Sequence, residues 1–206
     1  MRIIQPRIYL ASQSPRRREL LKQIGINFEM LLLRQDAHRG IDIDETPQAD
    51  EAPEIYVRRI CKKKALAGWG SLSYRSLPPF PVLAADTIVT LDNLILGKPE
   101  NYAQAHKMLQ QLSGREHQVL SAVAIAVNER IEIALSTSTV RFVALSDERI
   151  HRYLLTREYL DKAGGYAIQG IAAAFVEHLS GSYSGVMGLP LFETVQLLQR
   201  FDCPTS

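Results

Sequence analysis

Ile8-Tyr9-Leu10-Ala11-Ser12-Gln13-Ser14-Pro15-Arg16-Arg17-Arg18-Glu19-Leu20-Leu21 reads as a short apolar strand that passes through two serines and a proline into a helix. Pro15 suits the first helical position, where the missing N–H costs nothing, and Ser14 is placed to cap the free amides beside it. The spacing predicts a strand over 8–11 and a helix over 15–24, with Leu20, Leu21 and Ile24 turned inward. Three arginines in the first turn oppose the positive end of the helix dipole unless an anion sits nearby. Backbone amides, hydroxyls and guanidinium forks together describe a corner that takes a polyphosphate or a carboxylate. A capped surface helix with an incidental basic turn is the plainer alternative.

The rest of the chain extends this strand-to-helix pattern. Pro53 opens a second helix carrying Tyr56, Ile60 and Lys64 at turn spacing, after a polar, acidic stretch from Asp36 to Glu54 that reads as a loop. Gly68 to Pro81, rich in Gly, Ser and Pro, reads as an exposed loop. Val82 to Ala85 forms an apolar strand that pauses at Asp86-Thr87 and resumes over 88–91, and Asp92-Asn93 is a turn. Residues 101–112 are helical and end at Gly114. Residues 117–127 and 131–143 form a hairpin around Asn128-Glu129. Ser146 starts another helix; 171–178 reads as a strand, Ser180 to Gly185 as a small-residue loop, and Pro190 to Arg200 as a terminal helix. Mixed elements without strict repetition predict an α/β fold with a partly antiparallel sheet.

Composition narrows the function classes. The 206 residues are 46% hydrophobic, enough for one substantial core, and 24 basic against 22 acidic residues leave a formal charge of +2. That balance gives no global pull toward nucleic acid or an anionic membrane, so attraction for a polyanion must be local. Cys61 and Cys203 form neither a zinc pattern nor a disulfide framework, which fits a reducing compartment. Met1 to Pro6 is too short for a signal peptide and no apolar run approaches ~18 residues, so the expected location is the cytoplasm.

Asp86 is the sharpest single residue. A carboxylate that follows four small or apolar strand residues is costly unless it is paired, ligated or used. It reads either as a structural acceptor or as a metal ligand or general base at a strand end. Glu45 is the best second carboxylate, although its own loop also offers Asp44. Mg²⁺ is content with one or two carboxylates when phosphate oxygens and water complete its shell. Lys98, between Gly97 and Pro99, is held like a phosphate-contacting lysine. Of the run Arg58 to Lys64, one charge is expected to turn inward. Asp161 to Gly170 sets three glycines around Tyr166 and Gln169; the amide can read a base edge and the glycines can admit a flat ring, although a ligand-free tight turn explains them equally well.

Taken in order, Ala11-Ser12-Gln13-Ser14-Pro15-Arg16-Arg17, Glu45-Thr46-Pro47, Lys64-Ala65, Ala84-Ala85-Asp86-Thr87, Leu96-Gly97-Lys98-Pro99, Leu112-Ser113-Gly114, Asp161-Lys162-Ala163-Gly164 and Ile168-Gln169-Gly170 resemble the Maf proteins over roughly Tyr9 to Leu198. The resemblance implies a cytoplasmic, homodimeric nucleoside triphosphate pyrophosphatase that needs a divalent cation, Mg²⁺ or Mn²⁺, and yields a monophosphate and pyrophosphate. It implies one domain over 1–206, with an elongated mixed sheet, flanking helices and a central cleft between two lobes, similar to the inosine triphosphatases. By residue, it implies phosphate binding by Ser12, Arg16, Arg17, Lys64 and Lys98. Asp86 becomes the catalytic proton acceptor, and Glu45 with Asp86 the metal-holding pair. Arg16, Thr87 and Gln169 match the specificity positions of the subgroup that prefers dTTP and UTP. The Ser71 to Pro79 segment departs from the family in length. The competing class is a nucleotide- or nucleic-acid-binding regulator of cell division without catalysis.

Overall fold

The computed structural model describes residues 7–34 and 43–203, so Met1 to Pro6 and the part of the acidic stretch that holds Asp36, His38 and Asp42 lie outside the described residues. The elements in chain order are β1 (Ile8–Leu10), α1 (Pro15–Gln23), β2 (Phe28–Met30), α2 (Pro53–Tyr74), β3 (Val82–Leu91), β4 (Leu94–Leu96), α3 (Tyr102–Leu112), β5 (Glu116–Val127), β6 (Arg130–Phe142), α4 (Asp147–Leu155), β7 (Val176–Ser180), α5 (Tyr183–Met187) and α6 (Leu191–Arg200). They build an α/β fold around one seven-stranded mixed sheet in the order β2-β1-β3-β5-β6-β7, with β4 added to β3. The β1–α1–β2 unit is parallel, β3 runs parallel to β1, and everything beyond β3 is antiparallel.

Strand periodicity divides the core. Val82, Ala84, Ala122 and Ala124 face one side, where Tyr56, Val57, Ile60 and Ala65 of α2 cover them. Leu83, Ala85, Val123 and Ile125 face the other, against Leu20 and Leu21 of α1 and Leu197 and Leu198 of α6. The small alanines let α2 lie close to the sheet. A third cluster joins the far ends of β3, β5 and β6 to α3 and α4 through Leu109, Leu112, Phe142 and Tyr153.

Several elements differ from the sequence reading. Helix α2 continues through Gly68 to Tyr74, where a loop is expected, and the prolines fall after it. Gly68 is needed for close approach, since a Cβ there would stand 2.7 Å from Val82. Ser71 and Leu72 are buried, so packing outweighs the weak local helix preference of Gly and Ser. The first part of the long Ser71 to Pro79 segment is therefore helix. Strand β3 does not pause at Asp86-Thr87, because both residues pair with β5. Ile171–Phe175 is a 3-10 turn before β7, and the small-residue loop contains α5. The turn at Asp92-Asn93 is present, both residues adopting positive φ (51° and 64°), and it returns the chain as β4. Ser146 caps α4 by accepting from the Arg149 N–H.

The loop over Asp161 to Gly170 is held from below by a buried pair, His117 Nε2 and the Tyr166 hydroxyl, 2.8 Å apart. Burial pushes His117 down to about 4 from 6.5. The folded state thus holds a neutral ring that the unfolded chain protonates below about pH 6.5. The resulting stability is full above the unfolded value and declines as the pH falls toward the folded one, by up to ~3 kcal/mol. Urea denaturation from about pH 7.5 to about pH 4.5 should show wild type losing more stability than His117→Gln, which keeps a partner for Tyr166 but does not titrate. Equal losses in both proteins would remove this account.

Candidate active site

The topology leaves one gap in the sheet. On the edge of β3 away from β5, β1 pairs only with Val82 and Leu83, and β4 only with Val89 to Leu91. Between them the edge from Ala84 to Ile88 is open to side chains from other elements. Cys61 of α2 closes part of it, its Sγ donating to the Ala84 carbonyl at 3.5 Å. Burial, and then the Asp86 charge, drive this thiol up to about 12, so it stays protonated and structural.

Period-two alternation then separates two neighbours. Asp86 turns toward α2, and Thr87 toward the opposite face, where Ser121 of β5 and the turn after α5 lie. The Lys64 ammonium sits 2.6 Å from Asp86 Oδ1 and 2.9 Å from Glu45 Oε1. Its side chain is 14% exposed and that of Asp86 11%. Burial opposes the ammonium charge, but Asp86 and Glu45 outweigh it and raise its pKa. Of the run Arg58 to Lys64, Arg58, Lys62 and Lys63 are exposed, and Arg59 is engaged by Glu51 and the Thr46 carbonyl.

The segment that carries Glu45 is stitched to α2. The Tyr56 hydroxyl donates to the Glu45 carbonyl at 2.9 Å and Arg59 to the Thr46 carbonyl at 3.1 Å. Asp44 instead accepts from the Thr46 N–H in a local turn, so of the two acids it is Glu45 that meets Lys64. The sequence held a signal for Tyr56, an aromatic residue two helical turns before Lys64 at the turn spacing already noted, but gave it no role at the site.

At the β1–α1 corner Ser14 makes no side-chain cap, contrary to expectation. Ser12 organises the turn: its Oγ accepts from the Ser14 N–H (3.2 Å) and from Arg17 Nη1 (3.1 Å). Arg17 Nε donates to the Gly188 carbonyl at 2.8 Å and Arg16 Nε to the Met187 carbonyl at 3.2 Å. Thr87 Oγ1 reaches the same Gly188 carbonyl at 3.4 Å and Ser121 Oγ at 2.9 Å, and Ser121 donates to the Gly185 carbonyl at 2.6 Å. One turn, 185–188, thus orients both arginines and Thr87. Gly188 adopts φ +121°, a conformation that needs glycine. Burial lowers the Arg17 pKa, while the fields of Asp86 and Glu45 support its charge.

Lys98 and Gln169 are exposed on neighbouring loops, joined where the Gly164 N–H donates to the Gly97 carbonyl at 3.0 Å. Lys162, which the sequence reading passed over, shares this region. Burial lowers its pKa first, then Arg16; Asp161 and Glu158 oppose, and Lys98 lowers it further. The glycines have internal reasons: a Cβ at Gly164 would stand 2.9 Å from Val89, and one at Gly170 2.2 Å from the Glu158 carboxylate. Glu158 accepts from the Ile171 and Ala172 N–H groups, so Gly170 is small for its sake. The expectation that these two glycines make room for a flat ring gives way to packing.

The Glu45–Lys64–Asp86 centre thus lies in the field of Arg17, and Arg16 links that corner to Lys162, which in turn feels Lys98. Two carboxylates already converge on one cation, and their hard oxygens are the donors that Mg²⁺ or Mn²⁺ prefers, so the pair fits a divalent ion. Among the described residues, no group of three or more His, Cys, Asp or Glu side chains could hold a metal ion.

Comparison with known proteins agrees with the motif order. The family model described as Maf-like protein matches residues 7–201. A dTTP/UTP pyrophosphatase of Nitrosomonas europaea is 55% identical over 193 residues, covering 94% of this chain and 93% of that protein. A dTTP/UTP pyrophosphatase of Aromatoleum aromaticum is 52% identical over 205 residues, 99% of this chain and 100% of that protein. Among solved structures, the Ham1 protein of Staphylococcus aureus superposes with a TM-score of 0.42 and 14% identity, over 66% of this chain and 71% of that one. A model match along almost the whole chain, with relatives identical at more than half their positions, means that this chain belongs to the Maf family.

Proposed function

We propose that the protein is a nucleoside triphosphate pyrophosphatase that hydrolyses dTTP and UTP, and modified pyrimidine triphosphates, to the monophosphate and pyrophosphate. The observation that carries the reading is the Glu45–Lys64–Asp86 centre set against Arg16 and Arg17. A protein that only bound a polyanion would gain nothing from turning two carboxylates toward its phosphates. A hydrolase needs such a group beside its cations, to orient or deprotonate water while the phosphate charge is held. The names of the relatives support the same substrates.

Arg16, Arg17, Lys98 and Lys64 hold the triphosphate and meet the charge that develops on the departing pyrophosphate. Ser12 fixes one Arg17 nitrogen and the 185–188 turn fixes the other end of its fork. Asp86, at the open edge of β3, orients the attacking water or accepts its proton, and Glu45 supplies the second negative group. A divalent cation held by Glu45 and Asp86 would neutralise phosphate charge and acidify bound water. The test is a screen of canonical and modified triphosphates with Mg²⁺ or Mn²⁺, detecting pyrophosphate and orthophosphate separately. UTP and dTTP should yield equimolar monophosphate and pyrophosphate; release of orthophosphate alone, or no turnover, would overturn the reading.

This reading also takes the protein to be a cytoplasmic homodimer. Cys61 and Cys203 are free and buried, in keeping with a reducing compartment. Among the described residues no helix is long and apolar enough to cross a membrane. Base choice is assigned to Arg16, Thr87 and Gln169. A glutamine amide can pair with both a carbonyl and the ring N–H of uracil or thymine. Gln169→Ala should reduce the UTP-to-GTP ratio of kcat/KM by roughly one to two decades, the cost of one unpaired polar edge. An unchanged ratio, or a wild type that prefers GTP, would end the base-reading role.

A further inference from the structure

Lys64 occupies the point where the two carboxylates meet. Its ammonium is within hydrogen-bond distance of both Glu45 and Asp86, so the place that suits a divalent ion already holds a positive charge. We propose that Lys64 is a resident cation which keeps the Glu45–Asp86 pair closed to free metal, so that the ion enters only together with a triphosphate.

Three features of the surroundings lead to this. First, the ammonium is well held, 2.6 Å from Asp86 Oδ1 and 2.9 Å from Glu45 Oε1 on a side chain only 14% exposed. A divalent ion brought to the same two oxygens would face the Lys64 ammonium that they already bind, and Arg17 lies in the field of the same two carboxylates. Like charges at that range repel strongly in a part-buried site. Second, among the described residues the two carboxylates have no third His, Cys, Asp or Glu arranged with them.

Third, the two cations are held in different ways. Arg17 is tied by Ser12 and the Gly188 carbonyl, whereas Lys64 reaches the carboxylates on a flexible four-carbon stem. A triphosphate supplies what both sides lack. Its oxygens complete the shell of the metal and give the Lys64 ammonium a new acceptor, so charge is exchanged without leaving the carboxylates bare. The carboxylates stay ionised and positioned meanwhile, with Tyr56 holding the Glu45 segment. Metal loading and substrate loading become one event.

The inference rests on the pyrophosphatase reading for its second partner, and its test does not use turnover. Free Mn²⁺ is followed by electron paramagnetic resonance as it is titrated into the full chain, first alone and then with the α,β-methylene analogue of UTP. Wild type should bind Mn²⁺ weakly alone and at least about tenfold more tightly with the analogue, beyond what the analogue binds in buffer. Lys64→Met should bind Mn²⁺ without nucleotide at least about tenfold more tightly than wild type, because the pair has lost its internal cation. Lys64→Gln serves as the second variant, and thermal melts report folding for both. Wild type that binds free Mn²⁺ as tightly as Lys64→Met, or variants that bind it more weakly, would overturn the proposal. Absence of pyrophosphate release in the screen, with the Lys64 effect on Mn²⁺ intact, would instead count against the substrate assignment and leave the cation exchange standing.

Discussion

Asp86→Asn is expected to give a folded protein that releases pyrophosphate at least about 10²-fold more slowly than wild type. The substitution keeps the shape of a side chain only 11% exposed and leaves an amide oxygen to accept from Lys64. The backbone of β3 is held by β5 through this position and does not depend on the carboxylate. What disappears is the negative charge needed to orient water, take a proton or hold a cation. Lys64 keeps Glu45 as its counter-charge, so the buried ammonium is not orphaned. Turnover with UTP and a thermal melt decide the matter together. A folded variant with near-normal kcat would remove Asp86 from the chemistry.

How much of this was legible beforehand depends on the range of the interactions involved. The passage from β1 into a helix opened by Pro15, the Asp92-Asn93 turn, the β5–β6 hairpin and the Ser146 cap are decided by neighbours in sequence, and they stand where the sequence reading puts them. Helix α2 beyond Gly68 is decided by Val82 and the rest of the sheet, so local composition misread it as a loop. The pause expected at Asp86 followed from treating a charged residue as a strand breaker. In the fold its backbone remains paired with β5 while its side chain projects at the open edge between β1 and β4, an arrangement visible only once the strand order is known. The choice between Glu45 and Asp44 likewise needed the Tyr56 and Arg59 bonds from α2. Thr87 and Ser121 acquire their common meaning from register alone, since they are opposite one another on β3 and β5.

Arg17→Ala is expected to lower kcat/KM for UTP by about 10²- to 10³-fold, more than Arg16→Ala does. Both arginines donate through Nε to the same turn, but only Arg17 is also bound by Ser12 and lies in the field of Asp86 and Glu45. That places its guanidinium where phosphate charge would meet the acid–base centre, while Arg16, facing Asp161 and Arg17, stands toward the loop that bears Gln169. Two losses combine in the alanine variant. A cationic fork goes, and the Gly188 carbonyl and Ser12 hydroxyl lose a donor. The second loss is structural and should appear as a lower melting temperature; the first should appear only in catalysis. Arg17→Lys separates them: it restores positive charge but cannot bridge Ser12 and Gly188 at once, so it should recover part of kcat/KM and little of the positioning. Binding of the monophosphate product should change far less than triphosphate turnover, because the developing charge lies on the departing pyrophosphate. If Arg17→Ala weakens monophosphate and triphosphate equally, or if a folded variant keeps its kcat/KM, Arg17 is a strut of the 185–188 turn and the phosphate charge is met by other residues.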